Sequence, residues 1–327
     1  MTGLRQTFAV ARGDARALEA GRLAGCVVAI GNFDGVHRGH RTVIAAALAR
    51  ARALGRPAAA LTFDPHPRTF FRPDLPLFRL SSEDNKLRLL AATGLDGAVI
   101  LRFDAALAAT SAQDFIDRIL VGRLAIAGAA IGFDFHFGKD RQGSPAYLAG
   151  QGERRGFAVD IVPPLEEEGR PVSSGAVRDA LVAGAVAEAA ELLGAPWFVS
   201  GLVIHGEKRG RDLGFPTANV RLDPSCGLKH GIYAVRVAID GRLHDGVAGF
   251  GRRPMFDNGA PLLEVFLFDF SGDLYGKVVD VAFIGWIRGE EKFASIELLR
   301  LQMNDDVVQA KAVLARAPDA FPALGAV

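Results

Sequence analysis

The stretch CVVAIGNFDGVHRGH, residues 26–40, decides how the first half of this chain folds. Val27, Val28, Ala29 and Ile30 form an uninterrupted apolar run, the pattern of a strand covered on both faces, and Gly31 and Gly35 supply backbone freedom in the turn that follows. Asn32, Asp34, His37 and His40 then arrive together, with the two histidines three apart, so that on a helix beginning near Gly39 they share one side. A helix start offers exposed N–H groups and a positive dipole to phosphate, and imidazoles beside it can donate to phosphate oxygens. The spacing therefore predicts a nucleotide site beyond a strand end of an α/β sheet. No G-x-G-x-x-G follows the strand, which excludes the dinucleotide fingerprint.

Outward from this stretch, strand and helix alternate. A helix is expected from about Arg41 to Leu54, ending at Gly55, and a strand from Ala58 to Phe63. A helix between Ser81 and Gly94 has Ser81 and Asp84 in capping-box spacing, and Ser111 with Asp114 opens another that ends near Gly122. Residues 98–101, 125–131 and 158–162 read as further strands, so the pattern predicts a doubly wound parallel sheet. After Gly194-Ala195-Pro196 the pattern changes. FVSGLVIHG, GIYAVRVAID, GRLHDGVAGFG, LLEVFLFDF and KVVDVAFIGWI follow one another across short turns, with Asp240-Gly241 as a hairpin signal. Strands without intervening helices predict an antiparallel barrel, closed by a helix from about Glu290 whose Phe293, Ile296, Leu299, Met303 and Val307 form its apolar face. The expected domains are 1–194 and 195–327, and 327 residues suffice to give each its own core.

Net charge is +1, so no strong field draws the chain to nucleic acid or to a membrane surface, and no helix-turn-helix or basic stripe marks a regulator of gene expression. Cys26 and Cys226 lie far apart with no C-x-x-C spacing, which argues against a disulfide or zinc site and for a reducing cytoplasm. The charged N-terminal residues lack a signal-peptide core, and no apolar run approaches a membrane span. A cytoplasmic protein acting on small molecules is the expectation. Oligomeric state is not encoded in any pattern here.

Three more segments of the first half carry polar chemistry at strand or helix ends. TFDPHPRTFF places His66 and Arg68 among Phe63, Phe70 and Phe71, and GFDFHFGKDRQG places Asp134 among phenylalanines suited to a planar ring. PVSSGAVRDAL opens a helix with Ser173 and Ser174 and sets Arg178 one turn inside, a combination able to hold polyphosphate. In the second half, HGEKRGRDLGFPTANV interleaves Gly206, Gly210 and Gly214 with Lys208, Arg209 and Arg211. It then sets Thr217 and Asn219 two apart after Pro216, on one side of an extended strand, where neutral oxygens could reach Mg²⁺. Glu264 lies among apolar strand residues as a candidate general base.

GNFDGVHRGH resembles the H-x-G-H signature of the nucleotidyltransferase superfamily, in the form of its flavin-adenylylating branch, and GFPTAN resembles the riboflavin kinase motif. Together the segments resemble the bacterial bifunctional riboflavin kinase/FMN adenylyltransferases over nearly the whole chain. The resemblance implies that riboflavin is phosphorylated by ATP to FMN and that FMN is then adenylylated to FAD with release of pyrophosphate, both with Mg²⁺. It implies that Asn32, Phe33, Gly35, His37, His40, Ser173, Ser174 and Arg178 bind ATP for adenylylation, the two histidines stabilising the transition state. Phe63, His66, Asp134, Phe135 and His136 would hold the flavin there. In the kinase, Gly206, Lys208, Gly210, Arg211, Pro216, Thr217 and Asn219 would bind ATP, with Thr217 and Asn219 on the metal, Glu264 as base and Arg288 near the flavin or product phosphate. His136 and Gly175 depart from the Arg and Thr common in the family.

Overall fold

The computed structural model describes residues 7–13, 22–205, 214–252, 261–317 and 319–327. Two compact units divide the chain: Met1–Leu77 with Ser81–Ser173 and Ala323–Val327, and Phe78–Leu80 with Ser174–Pro322. Among the described residues no helix is long and apolar enough to cross a membrane.

The first unit is built on a parallel sheet of β1 (Ala9–Arg12), β2 (Val27–Ile30), β3 (Ala58–Asp64), β4 (Gly97–Arg102), β5 (Gly128–Gly132) and β6 (Ala158–Val162), in the order β1-β4-β3-β2-β5-β6. All of β2 and most of β3 and β4 are buried, as continuous apolar runs require of a sheet covered on both faces. Helix α1 (Arg38–Leu54) buries Val43, Ile44, Ala47 and Ala51 and stops at Gly55, whose left-handed backbone turns its N–H back to Ala51 and Arg52 carbonyls. The other helices used below are α2 (Pro67–Phe71), α3 (Glu83–Ala91) and α4 (Pro145–Arg155). Because every strand runs the same way, the loops after β2, β3, β5 and β6 leave one edge of the sheet. The chain passes from β2 to β3 on one side and later returns to β5 on the other, so β2 marks the switch point where α/β sheets bind ligands.

Three local expectations shift. Edge strand β1 is too short and too mixed in composition to stand out, and it forms because Gly97 has no Cβ to obstruct Ala9 O. The strand expected over 125–131 runs Gly128–Gly132. The cap of α3 is Ser82, whose side chain accepts the Asn85 N–H, because Ser81 is buried and turned to Asp34.

The second unit contains α5 (Ser174–Ala183), α6 (Val186–Leu193) and a closed antiparallel barrel of β9 (Phe198–Ile204), β10 (Thr217–Arg221), β11 (Gly231–Ile239), β12 (Arg242–Arg252), β13 (Pro261–Leu267) and β14 (Val278–Arg288). Its strand order is β10-β13-β12-β11-β14-β9, with β9 closing onto β10. The compact division falls after Ser173, whereas the change of sequence pattern falls at Gly194. The reason is packing: Val177, Leu181, Val186, Ala189 and Leu193 of α5 and α6 share one core with Trp197, Tyr233, Phe250 and Phe283. Asp240 and Gly241 both take positive φ, 49° and 78°, in the expected hairpin turn.

Helix α7 (Ile296–Ala315) covers part of the barrel's outer face, packing Ala310, Val313 and Leu314 on Ala234, Val247 and Ile284. It begins later than expected, capped by Ser295, so Phe293 precedes it and Ile296 in its first turn is exposed. Leu299, Met303 and Val307 are half-buried beside a seam that runs through Asp306, Ala310 and Leu314.

Candidate active sites

In the first unit the turn after β2 is over-determined. Phe33 and Val36 hold left-handed backbone, φ 49° and 45°, which costs about 1–3 kcal/mol each and persists only where the surroundings enforce it. Here they do. Thr62 Oγ1 donates to Asn32 O at 3.1 Å, the Gly35 N–H donates to Ser81 Oγ at 3.1 Å, and the Ser81 N–H donates to buried Asp34 at 3.1 Å. Arg41 Nε donates to Val36 O, and partial burial lowers its guanidinium from the usual range.

His37 caps α1: its Nδ1 accepts the His40 backbone N–H at 3.2 Å. An accepting Nδ1 carries no proton, so in neutral His37 the proton sits on Nε2. The His37 and His40 rings stack with centroids 3.6 Å apart, and Phe33 meets His40 edge-on. Gly39 packs tightly between them: a Cβ there would lie 3.0 Å from Val172 O and 3.2 Å from the His37 ring, so a neighbour would have to give by a few tenths of an ångström. Asn32, Phe33, Gly35, His37 and His40 are thus brought together at the sheet edge, with Val172, next to Ser173, against Gly39. Ser174 and Arg178 belong to the second unit, where Arg178 donates to Phe78 O at 2.6 Å and to Ser174 O at 3.1 Å.

After β3, His66 caps α2 by accepting the Arg68 N–H. Phe63, Phe70 and Phe71 gather around Phe103 with centroids 5.5–6.0 Å from it, leaving Phe71 exposed. Phe103 had no sequence signal, since only the β3–β4 pairing brings it there. After β5, Phe135 stacks on Phe137, while Asp134 and His136 are exposed and His136 Nδ1 lies 2.9 Å from Asp134 O.

In the second unit the site is made by register. Val220 of β10 and Leu263, Val265 and Leu267 of β13 enter the barrel core, so Thr217, Asn219 and Glu264 take the outer face. Asn219 stands directly opposite Glu264, and Glu264 opposite Gly249 of β12. Among the described residues a Cβ at Gly249 would meet Ile232 alone, at 3.5 Å. Asn219 is 5 % exposed, and its Oδ1 is buried without a hydrogen-bond partner among the described residues. A buried amide oxygen left so is costly, and a cation held partly by phosphates would satisfy it. No group of three or more His, Cys, Asp or Glu suited to a metal occurs among the described residues.

Phe215 anchors the approach to β10 by packing edge-on against Phe266, and Pro216 is exposed. Gly206, Lys208, Gly210 and Arg211 lie outside the described residues. Arg288 is bidentate on buried Asp306, with both N···O distances 2.7 Å, and also donates to Gly289 O. The Asp306 carboxylate raises the Arg288 pKa further. This partner had no sequence signal, being on α7.

The α/β unit thus presents stacked histidines in the turn beyond β2, and the barrel presents an amide facing a carboxylate across β10 and β13, two constellations of the kind a nucleotide-dependent transferase uses. Residues 20–176 match the FAD synthetase family and residues 193–314 the riboflavin kinase family. The bifunctional riboflavin kinase/FMN adenylyltransferase of Pseudomonas fluorescens is 44% identical over 89% of this chain and 94% of its own length. Those of Haemophilus influenzae and Escherichia coli are 41% and 40% identical, over 89% and 88% of this chain and 94% and 92% of theirs. A solved Streptococcus pneumoniae structure, described as a macrolide-efflux protein, superposes with TM-score 0.81 at 32% identity, covering 91% of this chain and 97% of that one. The chain belongs to the bifunctional riboflavin kinase/FMN adenylyltransferase family. It is a transferase with both activities, making FMN from riboflavin and FAD from FMN with ATP.

Proposed function

We propose that residues 1–194 carry FMN adenylylation, at the sheet edge after β2, and residues 195–327 carry riboflavin phosphorylation, on the outer face of the barrel. The carrying observation is that two different phosphate-directed constellations, the stacked His37–His40 pair and the cross-strand Asn219–Glu264 pair, lie in two separately compact units.

In adenylylation an oxygen of the FMN phosphate attacks the α-phosphorus of ATP as the bond to pyrophosphate breaks. His37 and His40 donate to the α-phosphate oxygens where charge accumulates, and Asn32, Phe33 and Gly35 shape the turn around the nucleotide. Ser173, Ser174 and Arg178 hold the departing pyrophosphate. Phe63, His66, Asp134, Phe135 and His136 take the flavin, with the exposed aromatic faces supplying stacking surface. In the kinase, Glu264 accepts the proton of the riboflavin 5′-hydroxyl as its oxygen attacks the γ-phosphorus and ADP leaves. Thr217 and Asn219 would hold Mg²⁺, which when bound supplies charge neutralisation to the phosphates. Pro216 with Gly206, Lys208, Gly210 and Arg211 forms the ATP loop. Arg288 is assigned to the flavin side, where its contacts to Asp306 and Gly289 leave two of its N–H groups for a ligand. Both steps rest on positioning and electrostatics, without a covalent enzyme intermediate. Cytoplasm is the assigned compartment, in keeping with two buried cysteine thiols.

Purified protein with Mg²⁺-ATP and either riboflavin or FMN, followed by separation of the flavins, tests the assignment. His40→Ala should lower FAD formation from FMN by about 10²–10³ and leave FMN formation intact, and Glu264→Gln should do the reverse. A folded variant that loses both activities would refute two independent sites.

A further inference from the structure

The hairpin of β7 (Glu166–Glu167) and β8 (Arg170–Pro171) lies between β6 and Ser173 and has two residue pairs, Glu166 with Pro171 and Glu167 with Arg170. Glu168 and Gly169 form its turn, both at positive φ, 50° and 74°. So short a ribbon, exposed over most of its length, buries too little to hold its own position. Two contacts tie it to the start of α1. Arg38 Nη1 lies 2.7 Å from both carboxylate oxygens of Glu167. Val172, which is buried and whose N–H donates to Leu165 O at 2.8 Å, sets its carbonyl where a Cβ of residue 39 would stand 3.0 Å away.

Arg38 is the first of the two residues inside His-Arg-Gly-His. Of the two residues between the histidines, one takes hold of the hairpin through charge and the other admits it by having no side chain. The next residue after Val172 is Ser173. Through Val172 the hairpin therefore sets where Ser173 leaves the start of α1, and Ser173 and the histidine pair are assigned above to opposite ends of the bond that breaks in ATP.

We infer that the Arg38–Glu167 pair is a positioning latch for adenylyl transfer, holding the β7–β8 hairpin, and with it Ser173, in register with His37 and His40. This rests on the assignment of adenylylation to the His37–His40 site. Both side chains of the pair are 39% exposed, so its worth to global stability is small. Its effect is on geometry, to which a displacement reaction is far more sensitive.

The test measures steady-state FMN adenylylation against ATP concentration, with riboflavin phosphorylation by the same preparation as control. Arg38→Gln and Glu167→Gln should each lower kcat/KM for ATP by about tenfold, with the loss in kcat as well as in KM, while kinase rates and melting temperature stay at wild-type values. The reversed pair, Arg38→Glu with Glu167→Arg, should recover most of the loss. An Arg38 that met phosphate directly would not be rescued by reversal, because a carboxylate would then face the nucleotide, and that result would overturn the latch. Unchanged kcat/KM in both single variants would also overturn it. His40→Ala separates this from failure of the underlying assignment: if that variant retains adenylylation, the site is misplaced, and if it loses it while the Glu167 variant does not, only the latch is wrong.

Discussion

The two sites are made in opposite ways. In the α/β unit, five of the assigned ATP residues fall within Asn32–His40, on one turn and the first turn of one helix, and their geometry is local: a side chain caps its own helix and two rings three apart stack. In the barrel, Asn219 and Glu264 come from strands separated by two others in the chain and meet only because β10 pairs with β13 in one register. A slip of one residue in either strand would turn that strand's side chain toward the core and break the pair. Local sites are vulnerable to changes of backbone shape, whereas assembled sites are vulnerable to changes of partner.

The largest expected effect probes the assembled site. Asn219→Ala and Glu264→Gln should each lower riboflavin phosphorylation by about 10²–10³, and the double variant should lose far less than the product of the two, because groups that act on one reacting assembly are not additive. Full additivity in kcat would show that the pair, though adjacent, does not act on one centre. A smaller effect should follow from Gly39→Ala in the local site. One methyl group pressed between Val172 O and the His37 ring should lower FAD formation by about 10²-fold, without a change in the kinase. If that variant were as active as wild type, the tight packing at residue 39 would have no bearing on the chemistry.

The smallest effect contrasts the two units through pH. Burial pushes the Cys26 thiol, at the head of the decisive stretch, from 9.0 up to about 12, and burial also raises the Tyr233 phenol in the barrel from 10.0. A group whose folded pKa is raised contributes stability that is complete below its unfolded pKa and declines as pH rises toward the folded value. The Cys26 contribution should thus begin to decline near pH 9.0 and the Tyr233 contribution only near 10.0. Urea unfolding at stepped alkaline pH, read separately by FAD and FMN formation after dilution, should show that order, and Cys26→Ala should remove the earlier decline alone. The same decline in Cys26→Ala as in wild type would assign it to another group.

What could be read in advance follows from the same contrast. The apolar run of β2, the glycines and the histidine spacing are sufficient for the strand, the turn and the shared side of the two histidines, because short-range sterics and hydrogen bonding determine a turn and a helix cap. The capping-box spacing points to Ser81, whereas Ser82 is the cap: the two neighbours suit that position equally well, and only burial against Asp34 distinguishes them. Phe103 beside Phe63, Glu167 on Arg38 and Asp306 on Arg288 join residues distant in the chain, and composition contains no trace of such pairs.

The sequence by itself determined the class of each half, the place of the turn after β2, the position of Thr217 and Asn219 on one side of a strand and the strand carboxylate Glu264. Alternation of apolar residues and the conformational limits of glycine and proline act over a few residues and are written in their order. Only the tertiary structure decided which residue faces Glu264, which loop meets Gly39 and that α5 and α6 pack with the barrel core. Those outcomes depend on strand register and on competition among buried surfaces across the chain, quantities that no local stretch contains.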